Sequence, residues 1–170
     1  MHEPMMQLPY REISEEEGRE ILEMGEYCVV ATVNEDGSPY CTPLSYVMDG
    51  DDLYIHTGSE QGKKIRDWQR DARVCLTVAV DMEPIYVEDF FTTRFASVIA
   101  RGRIEKVTDT AKVRWMLAKL CMKYAPEFKA EIGGAIDREI DVTTAWVVHL
   151  DEIRAKAGRR VPNGKGCVQA

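Results

Sequence analysis

Two adjacent lysines and a nearby histidine are the residues whose types and spacing most directly suggest chemistry. Lys63 and Lys64 follow Gly62 at the start of an amphipathic turn that carries Ile65 and Trp68. The first amides of a helix have no partner within the helix, the helix dipole is positive there, and two ammonium groups add charge. The pattern predicts a site for a phosphate-bearing small ligand. A solvated basic face is the alternative reading of a lone lysine pair.

His56 is the second candidate. Together with Thr57 it ends a β-rich run that begins at Leu53 and breaks at Gly58. Because histidine titrates near neutral pH, it can give a proton or a hydrogen bond to a bound cofactor or substrate. The alternative is a strand histidine hydrogen-bonded as part of the wall. His149 alternates with apolar residues on the last predicted strand, which favours a structural or interfacial role.

Other chemistry finds little support. The five cysteines form no Cys-x-x-Cys pair and no Cys/His cluster with zinc spacing, so no metal site is expected. An odd, scattered set of cysteines fits a reducing cytoplasm better than a disulfide framework. There is no glycine-rich dinucleotide fingerprint, no phosphate-binding Walker loop and no visible Ser/His/Asp constellation.

The length and charge of the chain exclude further classes of protein. The chain of 170 residues is long enough for one domain with a real core. A formal net charge of -7 argues against general nucleic-acid binding, which requires a cationic footprint. No apolar run approaches the roughly 20 residues that span a bilayer, and the N-terminus lacks the features of a signal peptide. A cytoplasmic protein without membrane or nucleic-acid partners is expected.

The elements that must position these residues are mostly strands. Helices are predicted after Ser14, which opens a capping-box pattern, after Gly62, and after Asp109. Gly25 is expected to close the first helix in a left-handed conformation. Pro43 is expected to place a bulge or a sheet edge in the second strand. Six strands are predicted, at about 27–33, 40–48, 53–57, 73–80, 94–107 and 143–150.

The order of these elements gives a fold class. Strands linked by tight turns favour an antiparallel sheet, here a mainly β fold with peripheral helices forming a closed or split β-barrel. Residues 81–93 are predicted to be an irregular loop, and Gly102 a bulge. The expected boundaries are an N-terminal arm at 1–12, one domain at 13–153, and a flexible tail at 154–170.

The chain also resembles a known family, the FMN-binding split-barrel proteins related to pyridoxamine 5'-phosphate oxidase. Within them it is most similar to the nitroimidazole-reductase branch. The resemblance covers roughly residues 13–153 and rests on the order and spacing of several stretches together. These are Thr42–Val47, Leu53–Gly58, Gly62–Lys64, Arg94–Gly102 and Trp146.

The resemblance implies a six-stranded antiparallel split barrel that forms a homodimer, with FMN in the cleft between the subunits. It also implies the parts that individual residues play. Pro43, Leu44 and Ser45 would border the flavin and its ribityl chain, His56, Thr57 and Gly58 would lie along the flavin, Lys63 and Lys64 would hold the phosphate, and Ser97 and Trp146 would come from the partner chain. His56 would be the catalytic residue.

The match departs from the oxidase itself in two places. Thr42 and Val47 stand where the oxidase has basic residues, and no basic substrate-binding motif follows Trp146. The expected function is therefore an FMN-dependent oxidoreductase that takes electrons from an unidentified small-molecule donor. Its acceptor would be a small electrophile such as a nitroaromatic, for example a 5-nitroimidazole. The alternatives are a flavin- or haem-binding carrier or sensor without turnover, and a deazaflavin-dependent reductase on the same barrel.

Overall fold

The computed structural model describes residues 9–58, 60–87 and 89–158. The strands are β1 (Glu12–Ile13), β2 (Cys28–Val33), β3 (Pro39–Leu44), β4 (Val47–Asp49), β5 (Asp52–Thr57), β6 (Arg73–Val87), β7 (Phe90–Lys106) and β8 (Thr144–Gly158). The helices are α1 (Glu15–Met24), α2 (Lys63–Arg70), α3 (Thr110–Tyr124) and α4 (Ile132–Glu139). Short 3-10 turns occupy Pro9–Arg11, Pro126–Phe128 and Ile140–Val142.

The chain divides into two compact units. Unit 1 comprises the described parts of Met1–Gly25, Thr77–Ala100 and Ile153–Ala170. Unit 2 comprises Glu26–Leu76 and Arg101–Glu152. The long strands β6, β7 and β8 each contribute one part to each unit.

The strand order of the sheet is β3-β2-β6-β7-β8-β5-β4, and β1 adds to β8. The two end strands of this order, β3 and β4, follow each other directly in the chain. The backbone from Leu44 to Val47 extends at most about 11 Å. Within unit 2, the end strands must therefore come together, although they share no ladder. We call the link Ser45–Tyr46 the seam.

The core of unit 2 forms where helix α3 packs on strands β4, β5 and β8. Its buried members are Val47, Tyr54, Val113, Met116, Leu120, Ala145 and Val147. Val113, Met116 and Leu120 are the buried residues of α3, and Asp109 caps the helix as expected. This packing fixes β5 and β8, the strands that lead to the candidate site.

Unit 1 is held by helix α1 against the sheet. The Ser14 hydroxyl accepts from the Glu17 amide, and the Glu17 carboxylate accepts from the Ser14 amide at 3.0 Å, so the predicted capping box is confirmed. A Cβ at Gly18 would lie 3.0 Å from the Ile153 side chain and 3.1 Å from that of Ala155. The small residue thus lets the helix approach β8 closely.

The predicted fold class is confirmed: the chain is mainly antiparallel β with peripheral helices. Pro43 lies on β3 at the end of the strand order, as expected for a proline. Gly37, in the turn between β2 and β3, has φ 83°, a conformation that favours glycine. Among the described residues there are eight strands rather than six, because β1 is added and the second predicted strand is divided at the seam.

Three local predictions are wrong. Gly25 has φ -63°, so it does not end α1 in a left-handed conformation. The predicted loop 81–93 is instead the end of β6 and the start of β7, and the rings of Tyr86 and Phe91 lie 4.8 Å apart. Pairing between long neighbouring strands outweighs the weak strand preference of this acidic, proline-containing stretch.

The third correction concerns the tail, because β8 continues to Gly158 and pairs Lys156 with Glu12 of β1. The remainder of the predicted tail, 159–170, and most of the predicted arm, 1–8, lie outside the described residues. In the described part of the chain, no helix has the length and apolar character that crossing a membrane requires.

Candidate functional site

The start of helix α2 adjoins open space. Gly62 precedes it with φ 125°, a conformation that favours glycine, and none of the side chains that the structure describes caps the helix. The first helical hydrogen bond runs from the Arg66 amide to the Gly62 carbonyl at 3.1 Å. The amides of the first turn before Arg66 therefore have no acceptor within the helix. A Cβ placed at Gly62 or at Gly58 would meet nothing within 4 Å, so open space adjoins both positions.

The Lys63 ammonium group is paired with other residues of unit 2. Its Nζ donates to Asp67 Oδ2 at 2.8 Å and to Asn34 Oδ1, and it lies 4.5 Å from the centroid of the Tyr40 ring. Asn34 follows β2 and Tyr40 belongs to β3. Lys63 thus joins the first turn of α2 to the β2–β3 hairpin.

Asp67 is the group that holds this arrangement. Its side chain is only 5% exposed, and it also accepts from Arg70 Nη1 at 3.2 Å. The hydrogen bond from Lys63, followed by the positive charges of Lys63 and Arg70, lowers the pKa of Asp67 below its usual value. Arg70 in turn donates to the carbonyl of Val33, at the end of β2. The carboxylate therefore stays ionised and neutralises part of the basic cluster.

Lys64 differs from its neighbour. In residues 9–58, 60–87 and 89–158 its ammonium group has no hydrogen bond or ion pair, and the residue is half-buried. Its positive charge acts on His56. Of the two predicted lysines, Lys64 is the one whose charge is left for a ligand.

His56 is exposed on β5, opposite Ala145 of β8. Its pKa is lowered, first because the surrounding protein removes part of its hydration and second because Lys64 repels the protonated form. Glu139 opposes these effects more weakly. The imidazole is therefore neutral at pH 7, with one nitrogen that can donate and one that can accept a hydrogen bond.

Thr57 and Trp146 form a buried pair. The indole Nε1 of Trp146 donates to Thr57 Oγ1 at 3.0 Å, and the Trp146 ring packs edge-on against Trp68 at 5.2 Å. Trp146 is 4% exposed. Within its own chain this pair fixes the end of β5 beneath α2, and the expectation that Trp146 reaches a cofactor from a partner chain stays a prediction.

The remaining predicted residues are divided between the units. Pro43 and Ser45 are exposed and Leu44 is half-buried, and all three lie in unit 2 at the end of β3 and the seam. Ser97 is half-buried on β7 in unit 1. Unit 2 therefore contains nine of the ten predicted cofactor residues.

An open cleft of about 560 Å³ lies beside α2 in unit 2. Lys63, Arg66, Asp67 and Arg70 line one side, and the turn Asn34–Asp36 lines the other. A second cleft, of about 330 Å³, lies in unit 1 beside α1. Its lining carries three carboxylates, while its Arg94 pairs with Glu83 at 2.6 Å. The second cleft therefore does not suit an anion.

Asp67, Asn34 and Tyr40 contribute to this region and were not predicted from the sequence. Lys63 and Asp67 stand at i and i+4, a spacing that places two helical side chains together, so this pair was open to detection. The contacts of Lys63 with Asn34 and Tyr40 depend on how α2 packs on the β2–β3 hairpin, for which the sequence carries no local signal.

A family model described as pyridoxamine 5'-phosphate oxidase matches residues 14–157. Among curated protein sequences, no significant match is found.

Solved structures share the fold at low identity. A putative 5-nitroimidazole antibiotic resistance protein from Bacteroides thetaiotaomicron is 23% identical, with 86% of each chain covered and a TM-score of 0.73. An FAD- and haem-binding protein from Mycobacterium smegmatis is 23% identical, with 86% of this chain and 73% of that chain covered and a TM-score of 0.71. An FAD-binding protein from Mesorhizobium loti is 20% identical, with 86% and 96% covered and a TM-score of 0.63.

The family match extends over most of the chain and includes every element that forms the α2 site. It agrees with the resemblance drawn from the order of the sequence stretches. The chain belongs to the pyridoxamine 5'-phosphate oxidase family.

Proposed function

We propose that this protein is an FMN-dependent oxidoreductase that acts as a homodimer on small electrophiles, with nitroaromatic compounds as the leading substrate class. The observation that carries the proposal is the start of α2, where, in the part of the chain that the structure describes, neither a capping side chain nor an ion pair of Lys64 is found, next to an exposed, neutral His56 at the end of the adjoining strand. Membership of the pyridoxamine 5'-phosphate oxidase family and the fold shared with a putative nitroimidazole resistance protein support the same reading.

The residues present fit the phosphate end of FMN. Backbone amides at a helix start together with an ammonium group favour an anion with several acceptor oxygens. The glycines at positions 58 and 62 leave open space beside these amides. Lys64 would hold the 5'-phosphate, with Lys63 adding charge while it anchors the helix to the hairpin.

The other residues would orient the cofactor. Pro43, Leu44 and Ser45 would border the ring system, and the pair of Thr57 and Trp146 keeps the strand end beside it in place. In the dimer, Ser97 of the second copy would complete the cleft. His56 would direct a hydrogen bond to the flavin or to the substrate and could pass on a proton. FMN itself would supply the electron chemistry, while the protein binds and orients it.

The test is an FMN titration followed by flavin fluorescence, in the wild type and in a double variant, Lys63→Ala with Lys64→Ala. Hydrogen bonds to charged groups contribute about 1.5–3 kcal/mol, so the double variant should bind FMN at least about tenfold more weakly. Lys119→Ala with Lys129→Ala is the matched control, because it removes the same charge from exposed positions outside α2. Equal affinities in the two double variants would reject the phosphate assignment.

Activity is tested by mixing the FMN-loaded protein with NADPH or NADH and a 5-nitroimidazole. Bleaching of the flavin by the donor and reoxidation by the nitro compound are the expected results. Gel filtration of the loaded protein should give the mass of a dimer. A flavin that no donor reduces would instead favour a carrier or sensor.

A haem-binding carrier is the second candidate, since a protein of the same fold binds both FAD and haem. An absorbance spectrum of the purified protein separates the readings, because flavin, haem and deazaflavin absorb at different wavelengths. A haem band without a flavin band would contradict the proposed function.

A further inference from the structure

At the seam, the backbone passes from one strand ladder to another and is paired by neither. Strand β3 pairs with β2 up to Leu44, and β4 pairs with β5 from Val47. Between them, Tyr46 is 0% exposed, yet it belongs to neither ladder. A buried backbone amide or carbonyl without a partner costs about 1–3 kcal/mol.

Tyr124, the last residue of α3, satisfies both backbone groups of Tyr46. The Tyr46 amide donates to Tyr124 Oη at 3.0 Å, and Tyr124 Oη donates to the Tyr46 carbonyl at 3.0 Å. One hydroxyl thus replaces the two ladder bonds that a neighbouring strand would supply. It is a contact between residues that lie far apart in the chain.

Two further contacts hold the same stretch. The Nζ of Lys123 lies 4.1 Å from the centroid of the Tyr46 ring. The buried Cys28 thiol donates to the Leu44 carbonyl at 3.6 Å. Burial raises the pKa of Cys28 to about 12, so it stays a neutral donor. The seam is therefore fixed at its backbone, on its ring face and at the preceding residue.

We propose that Tyr124 is a positioning residue for the cofactor site, because its hydroxyl fixes the seam and thereby the neighbouring segment Pro43–Ser45. This inference rests on the proposed function, which has that segment border the flavin. Pro43 and Leu44 are held by the β2–β3 ladder, whereas the exposed Ser45 lies between that ladder and Tyr46, so its backbone position depends on how Tyr46 is fixed. Tyr124 would not touch the cofactor itself.

The hydroxyl can keep both roles over the physiological pH range. Burial raises the pKa of Tyr124 above its usual value, against the opposing effect of its hydrogen bonds with Tyr46 and Ser45. A tyrosine that stays protonated donates one hydrogen bond and still accepts another.

The experiment compares Tyr124→Phe with Tyr54→Phe. Tyr54 is the matched control because it packs against α3 in the core of unit 2 and its hydroxyl donates a hydrogen bond to Asp52 Oδ2 at 3.2 Å. Near-ultraviolet circular dichroism establishes that both variants are folded. Amide hydrogen exchange at Tyr46 is measured first, without any flavin.

The Tyr46 amide should be protected in the wild type and in Tyr54→Phe and should exchange about tenfold faster in Tyr124→Phe. FMN should bind Tyr124→Phe about tenfold more weakly than the wild type, whereas Tyr54→Phe should keep its affinity. A merely structural role would lower the melting temperature of both variants and leave the FMN affinity of both alike.

Each opposite result has a distinct meaning. An unprotected Tyr46 amide in the wild type would overturn the hydroxyl contact at the seam. Fast exchange in Tyr124→Phe with unchanged FMN affinity would overturn the positioning role and leave the proposed function intact. A wild type that binds no FMN would reject the proposed function and this role with it, while the exchange comparison would still decide the seam contact.

Discussion

The β5–β8 ladder has a histidine near each end, and the two ends differ in every respect that bears on binding. His56 stands opposite Ala145 at the end next to α2, and His149 stands opposite Asp52 at the other end. The pKa of His56 is lowered and that of His149 is raised. Both residues are exposed strand histidines, so solvent exposure alone does not distinguish them.

Their partners explain the difference. His149 Nδ1 lies 2.6 Å from Asp52 Oδ1, and its Nε2 lies 3.2 Å from Glu105 Oε1 of β7. These two carboxylates, Glu105 first, favour the protonated ring and raise its pKa. Among the described residues no carboxylate is hydrogen-bonded to His56, and the repulsion by Lys64 outweighs the weaker attraction of Glu139. One end of the ladder is anionic and satisfied, and the other is cationic and open.

The comparison shows what distinguishes a candidate binding site from a structural one in this fold. At the His149 end, three strands supply groups that satisfy each other, and little is left for a ligand. At the His56 end, an ammonium group, helix amides and a neutral imidazole remain without partners among the described residues. Polar groups without a protein partner are free to bind a ligand, so their concentration at one end supports the proposed position of the site.

Gly102→Ala, at the His149 end, is expected to change the free energy of unfolding more than any other variant proposed for this ladder. A Cβ at this position would lie 2.1 Å from the His149 carbonyl oxygen and 2.9 Å from its carbon, and both are backbone atoms of β8. The strands β7 and β8 would have to move apart. We expect a loss of about 3 kcal/mol in the free energy of unfolding, the upper part of the range for overpacking, measured by urea denaturation.

Gly133→Ala is the control for this variant. Gly133 lies in α4, where a Cβ would meet nothing within 4 Å, so alanine should stabilise the helix by up to about 1 kcal/mol. If Gly102→Ala unfolds at the same urea concentration as the wild type, the close approach of β7 to His149 is refuted.

The sequence specified the local features of the His56 end well. The lysine pair, the strand ending at Thr57 and the helix start follow from charge, β-branched residues and glycine placement over a short stretch. It could not separate Lys63 from Lys64. That difference arises because Asp67 and the β2–β3 hairpin engage only one of them, a consequence of packing between elements.

The His149 end was less accessible to prediction. Alternation along the last strand identified His149 as structural, but nothing local paired it with Asp52 and Glu105. Gly102 was predicted as a bulge, whereas its measurable role is the close approach of two backbones. Likewise, the hydrogen bonds between Tyr124 and Tyr46 have no local signal in the sequence, because they depend on how the ends of the sheet meet.

The second prediction concerns the pH dependence of stability at the His149 end. A raised pKa in the folded protein gives stability that is fully present below the unfolded value of about 6.5 and is lost as pH rises through the folded pKa. The side chain is 48% exposed, so solvent screening limits the effect to less than about 1 kcal/mol.

His149→Gln should therefore be less stable than the wild type at pH 5.5 and nearly equal to it at pH 8.5, by urea denaturation at both values. His2→Gln, outside the described residues, serves as the reference for loss of a histidine. An equal loss in the free energy of unfolding at both pH values would show that His149 acts through packing and not through its proton.

The smallest effect is expected at the other end, in the titration of His56. Lys64→Gln removes the positive charge that disfavours protonated His56, so its pKa should rise toward the usual value while burial continues to hold it down. Lys63→Gln is the matched control, since it removes the same charge from the neighbouring residue, whose ammonium is already paired with Asp67. The measurement is an NMR titration of the imidazole resonances of His56 and His149.

Lys64→Gln should raise the pKa of His56 more than Lys63→Gln does, and neither variant should move His149. A lowered pKa works against the folded state as pH falls, because the unfolded chain takes up a proton that folded His56 resists. Lys64→Gln should therefore lessen the loss of stability in acid. Equal shifts of His56 in the two variants would mean that both lysines act on it alike, and the division of roles between Lys63 and Lys64 would be lost.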